Sequence, residues 1–388
     1  MNIGLFTDMY YPRISGVVTS AQILEKQLTQ LGHKVYIFTT SDPQAHRFEP
    51  RTYRLPSVPL FLAKDTHRMA VYYPPKLFFK IRRLKLDVVH TYTEFSLGFY
   101  GKLISQLFHI PMVHTYHTMY EDYLHYIPGG QFIGKKGAQY LSRLFCNGAD
   151  FVIAPSAATH EYLRGIGVSR PIRTIPTGID FAPFDPVNFS AREMAKARAE
   201  AGLAPSDKVV VVIGRVAREK SIHVLIAMMP KLLLRVPAAK LLIVGDGPAR
   251  AELEQQAVAL GVSHAVRFAG FKPWAEIAKY YQLGHVFATA STSETQGLTY
   301  AEAMAARIPV VIKKAPALGG LVKHMETGFI FEHDDEAADI IARVLTDTAL
   351  ARRAALNAYA AVQPLSAEVF GLELEAVYKE IAIREGTK

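Results

Sequence analysis

Residues 285–314 read HVFATASTSETQGLTYAEAMAARIPVVIKK: an apolar run, a polar loop containing Gly297, a helical segment and a second apolar run. This succession is typical of two buried parallel strands joined by a helix. The loop follows the carboxyl end of the first strand, where open parallel sheets bind their ligands. The stretch therefore predicts an α/β domain with a ligand site in this loop.

The same alternation of apolar strands and helical segments extends through both halves of the chain. A helix is expected from Thr19 to Leu31 in the first half. The other predicted strands begin at about residues 2, 34, 87, 111, 150 and 172 in the first half, and at 208, 240 and 266 in the second. Nearly all of the strands in the second half are apolar throughout, as doubly buried parallel strands should be.

The length of 388 residues exceeds one ordinary core and fits two domains. We expect an N-terminal domain at 1–178 and a second domain at 179–362. We also expect a C-terminal helix at 363–388 that packs back on the N-terminal domain. The fold class expected is α/β, with two doubly wound, Rossmann-like domains facing a central cleft.

The composition indicates a packed globular protein, with 50% hydrophobic and 20% charged residues. A single cysteine, Cys146, excludes an intramolecular disulfide framework and a zinc site built from several thiolates. The N-terminal residues MNIGLFTDMYYP do not resemble a signal peptide, and no apolar run of membrane-spanning length occurs. We therefore expect a cytoplasmic protein.

The positive charge is concentrated in the first half of the chain. Residues 1–180 hold 20 Lys or Arg against 12 Asp or Glu, whereas the remainder holds 24 against 23. Between residues 47 and 86 only two acidic residues occur, but ten basic ones do: Arg47, Arg51, Arg54, Lys64, Arg68, Lys76, Lys80, Arg82, Arg83 and Lys85. Something anionic is expected to approach this segment.

The end of this cationic segment has the pattern of an amphipathic helix. An apolar stripe is flanked by five cations, Lys76, Lys80, Arg82, Arg83 and Lys85. A helix packed on the sheet with a solvated outer face would explain the stripe. A helix lying on an anionic membrane would also explain the cations further upstream. Nucleic acid is a competing anion, but the chain shows no recognisable nucleic-acid-binding module.

Two basic residues, Arg215 and Lys220, follow the first strand of the second half in GRVAREKS. Their spacing across a strand end and a helix start would allow both to bind one pyrophosphate. Two ordinary surface cations would give the same pattern.

Glu294 and Glu302 flank Gly297 in the loop and helix after HVFATA. One carboxylate could bind sugar hydroxyls and the other a ribose, while the N–H groups between them face phosphate. In isolation, two such glutamates would more often be solvated helix residues. Their position after a buried strand favours a site.

His114 and His117 lie at the end of the strand in HTYHTMY. We predict no metal site, because no third ligand accompanies the pair at a fixed interval. His114 fits a buried, hydrogen-bonded histidine of the core. His117 lies beyond the strand and could hydrogen-bond a sugar or an acceptor hydroxyl.

Several of these segments together resemble the glycosyltransferases of family 4, whose fold is GT-B. The resemblance is carried by GRVAREKS, GDGP and SETQGLTYAEAMA, with the SGV loop, HTYHT and IPTGID in their expected order. Within that family, GLFTDMYYPRISGVVTS and VHTYHTMYEDYLHYI resemble the bacterial 1,2-diacylglycerol 3-glucosyltransferases. The resemblance covers essentially the whole chain.

The resemblance implies transfer of glucose from UDP-glucose to diacylglycerol, with retention of the anomeric configuration and at the inner face of the cell membrane. Arg215 and Lys220 would bind the pyrophosphate, Glu294 the hexose and Glu302 the ribose. Other residues would line the donor and the reacting sugar: Gln296, Gly297 and Leu298 through their backbones, Gly16 in the N-terminal loop, and His117. Many relatives have two glycines in that loop, whereas here Ser15 precedes Gly16.

Alternative functions remain open at this point. A sugar-nucleotide epimerase, a transferase with a soluble acceptor, and a catalytically silent membrane scaffold would share much of this pattern. A dehydrogenase is disfavoured, because the compact G-x-G-x-x-G turn is missing. No bound cofactor is required by the sequence, which does not fix the donor hexose, a dependence on divalent metal or the oligomeric state.

Overall fold

The computed structural model describes residues 1–13, 15–45, 49–59, 68–117, 130–292, 296–315 and 320–386, without the side chains of 130–133 and 384–386. The chain divides into two compact units. Unit 1 comprises Met1–Gly178 and Ala367–Lys388, and unit 2 comprises Ile179–Ser366. Residues 363–366 thus belong to unit 2, although the sequence division assigned them to the last helix.

The strands are, in chain order, β1 Asn2–Phe6, β2 Lys34–Thr40, β3 Thr52–Leu55, β4 Ser57–Pro59, β5 Arg68–Ala70, β6 Val88–Thr91, β7 Met112–Thr115, β8 Phe151–Ala154, β9 Ile172–Thr174, β10 Lys208–Ile213, β11 Ala239–Val244, β12 Val266–Gly270, β13 Val286–Thr289, β14 Val310–Lys313 and β15 Phe329–Phe331.

The α-helices are α1 Gly16–Gln30, α2 Pro75–Leu84, α3 Ser96–Phe108, α4 Gly130–Cys146, α5 Ala157–Gly165, α6 Ala191–Glu200, α7 Ile222–Ala227, α8 Met229–Arg235, α9 Arg250–Ala259, α10 Trp274–Leu283, α11 Leu298–Ala305, α12 Ala337–Thr346, α13 Thr348–Val362 and α14 Ala367–Gly386. Short 3₁₀ helices lie at Ala182–Phe184, Pro186–Asn188, Arg218–Lys220, Asp334–Glu336 and Gln363–Leu365.

A seven-stranded parallel sheet in the order β3-β2-β1-β6-β7-β8-β9 forms the centre of unit 1. In register, Ile3 of β1 is opposite Val35 of β2 on one side and Val88 of β6 on the other. The chain extends the sheet first to one side of β1 and then to the other. The resulting change of direction, between β1 and β6, is the position where doubly wound sheets bind ligands.

Helices cover both faces of this sheet. α1 and α14 pack on one face, and α2, α3, α4 and α5 pack on the other. Because both faces are covered, every residue of β6, β7 and β8 is buried. The apolar character of these strands therefore follows from their place in the sheet.

The C-terminal helix α14 is an integral part of unit 1. Its apolar residues Phe370, Leu374 and Val377 are buried against the sheet and α1. Tyr378 reaches the interior, where its hydroxyl lies 2.6 Å from Nδ1 of His90. Residues from the end of the chain thus complete the core of the N-terminal unit.

Unit 2 is built around a six-stranded parallel sheet in the order β12-β11-β10-β13-β14-β15. Here the change of direction lies between β10 and β13, which are neighbours in the sheet. β10 is one of the two central strands, and five of its six residues, Val209–Ile213, are buried. Helices cover both faces, as in unit 1.

The structure corrects the sequence interpretation in several places. α1 begins at Gly16 rather than near Thr19, because Ser15 caps it by accepting a hydrogen bond from the N–H of Val18 at 3.3 Å. The short strands β3, β4, β5 and β15 were not predicted. Unlike β6, β7 and β8, none of the four is buried along its whole length.

Two of the cations attributed to an anion-attracting segment have local partners. Arg54 of β3 donates to Glu49 at 2.7 Å, and Arg68 of β5 donates to the carbonyl oxygen of Ser57 at 2.7 Å. These two side chains therefore stabilise contacts within unit 1. Arg47 and Lys64 lie outside the described residues.

Candidate functional site

The change of direction in the sheet of unit 2 gathers the loops that the sequence indicated. The loop after β10 carries Arg215 and Lys220, and the loop after β13 carries Gln296 and Gly297. Because β10 and β13 are hydrogen-bonded neighbours, these loops begin side by side at one edge of the sheet. The Ser291 hydroxyl, 3.4 Å from the carbonyl oxygen of Glu219, joins them. Ligands of such sheets bind at this edge.

The loops after β10 and β11 are held against each other by backbone contacts. The N–H of Val216 donates to the carbonyl oxygen of Asp246 at 3.0 Å. A Cβ atom at Gly245 would lie 1.9 Å from the carbonyl oxygen of Gly214, and one at Gly247 would lie 2.4 Å from that of Val216. The glycines of GDGP are therefore required for packing between the loops.

Arg215 lies near a buried carboxylate. Its Nη1 is 3.9 Å from Oε1 of Glu219, whose side chain is 5% exposed. Lys220 ends the 3₁₀ helix Arg218–Lys220, and Ser221 then takes a left-handed conformation at φ 50° before α7 begins. Both cations therefore lie on a short segment fixed at the strand end. An anion bound there would be close to two positive charges.

Gly297 forms the entrance to helix α11. It has φ 81°, in the left-handed region, and a Cβ atom there would lie 1.8 Å from the ring of Tyr300. The Tyr300 hydroxyl in turn donates to the carbonyl oxygen of Gln296 at 2.5 Å. Only glycine fits this turn. Leu298 is the first residue of α11, where helix N–H groups lack intrahelical acceptors and favour an anion.

Glu302 lies one turn into α11, and its carboxylate has a partner that the sequence did not reveal. Oε2 of Glu302 is 2.7 Å from the hydroxyl of Tyr281, which is fully buried in α10. Burial raises the pKa of Glu302 to about 7, although the hydrogen bond from Tyr281 acts in the opposite direction. Glu294 lies outside the described residues.

In unit 1, the loop after β1 is organised by a buried carboxylate, Asp8. It accepts hydrogen bonds from the Thr93 hydroxyl at 2.6 Å, from the Ser96 hydroxyl and from the N–H of Leu97 at 3.0 Å. Burial raises the pKa of Asp8, and these hydrogen bonds oppose the rise. Asp8 thereby ties the end of β1 to the start of α3. Gly16 opens α1 in the same loop and is exposed.

His117 lies two residues beyond β7 in unit 1. Its ring stacks on that of Tyr92, with centroids 5.0 Å apart and planes at 16°. Its Nε2 is buried and has no hydrogen-bond partner among the described residues. Burial, helped by His114 nearby, lowers the pKa of His117 to about 3, so the ring is neutral at physiological pH. A neutral imidazole can hydrogen-bond a hydroxyl group.

His114 is buried within the strand, as expected for a core histidine. It lies 2.9 Å from the Thr91 hydroxyl and 3.2 Å from Oε1 of Glu94. His90 of β6 is likewise buried, between Tyr378 and Thr115. Among the residues that the structure describes, no group of three or more His, Cys, Asp or Glu side chains is placed to hold a metal ion.

Both halves of the chain match models of the same enzyme class. Residues 14–182 match Glycosyltransferase Family 4, and residues 193–363 match Glycosyl transferases group 1. The chain is 37% identical to the alpha-monoglucosyldiacylglycerol synthase of Streptococcus pneumoniae, a match that covers 99% of this chain and 86% of that protein. The chain belongs to glycosyltransferase family 4. The synthase of the same name from Acholeplasma laidlawii is 30% identical, over 100% of this chain and 99% of that protein.

The family 4 assignment agrees with the fold. The crystal structure of Anabaena HepE in complex with UDP-glucose superposes with a TM-score of 0.78 at 22% identity, covering 98% of this chain and 100% of that one. The α/β GT-B fold predicted from the sequence is thereby confirmed.

The five cations proposed for membrane binding in this glycosyltransferase lie on and just after α2. Lys76, Lys80, Arg82, Arg83 and Lys85 are all exposed. None of the five forms an ion pair with a residue that the structure describes. Within the described parts of the chain, no helix has the length and apolar character needed to cross a bilayer.

Sequence reasoning missed two residues of unit 1, Asp8 and Tyr92, and one residue of unit 2, Tyr281. Asp8 follows a predicted strand, so its position was a usable signal. Tyr92 follows β6 and carries the same signal. Tyr281 carries none, because it lies within α10 and contacts Glu302 only through the folding of distant segments.

Proposed function

We propose that this family 4 glycosyltransferase transfers glucose from UDP-glucose to 1,2-diacylglycerol, forming α-monoglucosyldiacylglycerol for membrane glycolipid synthesis. The proposal rests on one observation. Two cations, a helix N-terminus and a partly buried carboxylate converge at the carboxyl ends of β10 and β13. A diphosphate and a ribose are the chemical groups that such an edge would bind.

In this proposal, unit 2 binds the donor. Arg215 and Lys220 bind the pyrophosphate, and the backbone from Gln296 to Leu298 contacts sugar and phosphate. Glu302 accepts hydrogen bonds from the ribose hydroxyls when it is ionised. Glu294 binds the hexose hydroxyls, and this role rests on the sequence resemblance alone.

The chemistry proposed is loss of UDP followed by attack of the acceptor hydroxyl on the same face of the sugar, which retains the configuration. Arg215 and Lys220 stabilise the negative charge that develops on the departing diphosphate. The departing phosphate accepts the proton of the attacking hydroxyl. His117, neutral because of its lowered pKa, would hydrogen-bond the reacting sugar, and Gly16 would allow the N-terminal loop to approach the phosphates.

The acceptor half of the proposal is supported by the names of the two synthases that resemble the chain over nearly its full length. It is also supported by the exposed cations of α2, because an enzyme that uses a lipid acceptor must reach a membrane surface. Unit 1 would bind the acceptor and the inner face of the cell membrane. We expect no nucleic-acid partner and no bound cofactor.

The decisive assay offers three radiolabelled donors, UDP-glucose, UDP-galactose and GDP-mannose, to the protein with diacylglycerol vesicles, with and without EDTA. The expected result is labelled monoglucosyldiacylglycerol from UDP-glucose, with an α linkage by nuclear magnetic resonance. Lys220→Ala is the matched inactive control. Product from none of the donors would defeat the proposal. UDP release that does not depend on lipid would favour a soluble acceptor.

A further inference from the structure

One face of unit 1 is free of acidic residues on three of its helices. The sequences of α2, α3 and α4 contain eight Lys or Arg residues and no Asp or Glu. α5, which packs on the same face, carries one residue of each sign. On the opposite face, α1 and α14 together contain six acidic and three basic residues. The two faces of the sheet are thus covered by helices of opposite charge.

Helix α3, at the centre of the basic face, has an apolar outer surface. Phe99, Leu103 and Leu107 follow one another at four-residue spacing and are 57%, 47% and 51% exposed. The only charged residue of the helix is Lys102. A surface helix in water normally carries charged residues on its outer face. This stripe is therefore suited to an apolar environment.

The neighbouring helices extend the stripe into a larger surface. Phe78 of α2 contacts Phe108 of α3 at 4.9 Å between ring centroids, and Phe99 of α3 contacts Phe145 of α4 at 5.3 Å. Exposed apolar side chains continue on both neighbours, at Phe79 on α2 and at Tyr140, Leu141 and Leu144 on α4. Around them lie exposed cations: Lys76, Lys80, Arg82, Arg83, Lys135, Lys136 and Arg143.

We infer that this surface, formed by α2, α3 and α4, inserts the α3 stripe into the acyl region of an anionic bilayer while the surrounding cations bind lipid headgroups. The inference rests on the proposed function and adds to it, because α2 alone supplies charge but only one strongly exposed large apolar side chain, Phe79. A second copy of the chain fits this surface poorly, since two faces rich in cations and free of acids would repel each other.

The two components of this surface should respond differently to salt. Attraction between cations and anionic lipid is screened, since the Debye length falls from about 10 Å at 0.1 M to about 3 Å at 1 M. Burial of apolar side chains is not weakened in this way. Binding that depends on both components should therefore persist in part at high salt.

The first experiment measures sedimentation with vesicles of phosphatidylcholine and phosphatidylglycerol at 0.1 M and 1 M NaCl. The double variant Leu103→Gln/Leu107→Gln is compared with Leu372→Gln on α14, whose side chain is 51% exposed, as is that of Leu107. At 1 M NaCl, we expect the fraction of the double variant bound to vesicles to be at least about five-fold lower than that of the wild type. The bound fraction of Leu372→Gln should equal that of the wild type. Lys80→Gln/Arg83→Gln should lower binding mainly at 0.1 M. Equal retention by all variants at 1 M salt would overturn the inference.

The second experiment measures depth and does not depend on how strongly the double variant binds. The chain has a single tryptophan, Trp274, so Leu103→Trp in a Trp274→Phe background gives one fluorescent probe on α3. Lipids brominated in the acyl chains should quench this probe and leave Leu372→Trp in the same background unquenched. Absence of quenching at position 103 refutes insertion. The wild-type protein is also tested for dimers in the absence of vesicles. If a dimer forms and Leu103→Gln/Leu107→Gln dissociates it, the surface binds a second copy of the chain instead.

Failure of the proposed function would be recognised separately. Wild-type protein is assayed on diacylglycerol dispersed in detergent, where no bilayer has to be entered. If glucose is transferred in detergent but the probe at position 103 is not quenched in vesicles, the proposed insertion is wrong and the proposed activity stands. Absence of transfer overturns the proposed activity, whatever the vesicle experiments show.

Discussion

Removal of the Tyr281 hydroxyl should make binding of the donor more sensitive to pH. Burial already raises the pKa of Glu302 to about 7, and the hydrogen bond from Tyr281 at 2.7 Å limits the rise. In Tyr281→Phe the carboxylate loses this donor, so its pKa should rise further. If ionised Glu302 binds the ribose hydroxyls, less of the variant will be competent at neutral pH.

The magnitude follows from the strength of the hydrogen bond. Bonds to charged groups contribute about 1.5–3 kcal/mol, and one pKa unit corresponds to about 1.4 kcal/mol. We use the lower end, because the carbonyl oxygen of Thr299 also lies 3.0 Å from the hydroxyl. A rise of about one unit lowers the ionised fraction at pH 7 from about one half to about one tenth. The KM for UDP-glucose should then increase about five-fold at pH 7 and only slightly at pH 9.

The assay is the KM for UDP-glucose, measured between pH 6 and pH 9 at saturating acceptor. Tyr280→Phe serves as the control, because it removes a hydroxyl from the neighbouring residue of the same helix, and within the described part of the chain that hydroxyl forms no hydrogen bond to Glu302. In the wild type, KM should rise as the pH falls through about 7. A ratio of variant to wild-type KM that is the same at pH 7 and pH 9 would refute the role given to Glu302.

Four further predictions follow from the site. Lys220→Ala should lower kcat by about 10²–10³-fold without changing the melting temperature, and unchanged turnover would contradict the pyrophosphate assignment. His117→Ala should also lower kcat, and because the pKa of His117 is about 3, this residue should add no step to the wild-type pH profile above pH 5. Glu302→Gln should stabilise the protein at pH 8 by on the order of 1–3 kcal/mol in urea unfolding. Folding raises the pKa of Glu302 from 4.5 to about 7, so wild-type stability falls as the pH rises across that window, and the gain should vanish below pH 4.5. Gly245→Ala should destabilise unit 2 and weaken UDP binding, since its Cβ would lie 1.9 Å from the Gly214 carbonyl oxygen; normal melting and binding would show that the loops can separate.

Much of the fold could be predicted from the sequence, because doubly buried parallel strands are apolar over their whole length. β6, β7 and β8 were found for this reason, within two residues at each end. β3 and β15 were missed. β3 lies at a sheet edge, where only Leu55 is buried, and β15 has three residues. Edge strands bury less surface, so their sequences carry a weaker pattern.

The positions of the candidate residues were most predictable in the loops that follow strands. Arg215, Lys220 and Gly297 could be named because parallel strands bring such loops together. The raised pKa of Glu302 could not be predicted, since it depends on the burial of the carboxyl group and on the hydrogen bond from Tyr281, which is 21 residues away along the chain. The apolar outer surface of α3 was equally hidden, because its sequence resembles that of an ordinary core helix.

The return of the chain to unit 1 at Ala367 has a consequence for synthesis. Until α14 leaves the ribosome, the apolar side chains of α1 and the strand residues beneath it lack the helix that covers them. Unit 2 is a continuous segment and contains every residue it needs earlier. Most of unit 1 is therefore translated first, but its fold can be completed only after unit 2 has been translated. A nascent chain stalled before residue 367 should depend on a chaperone.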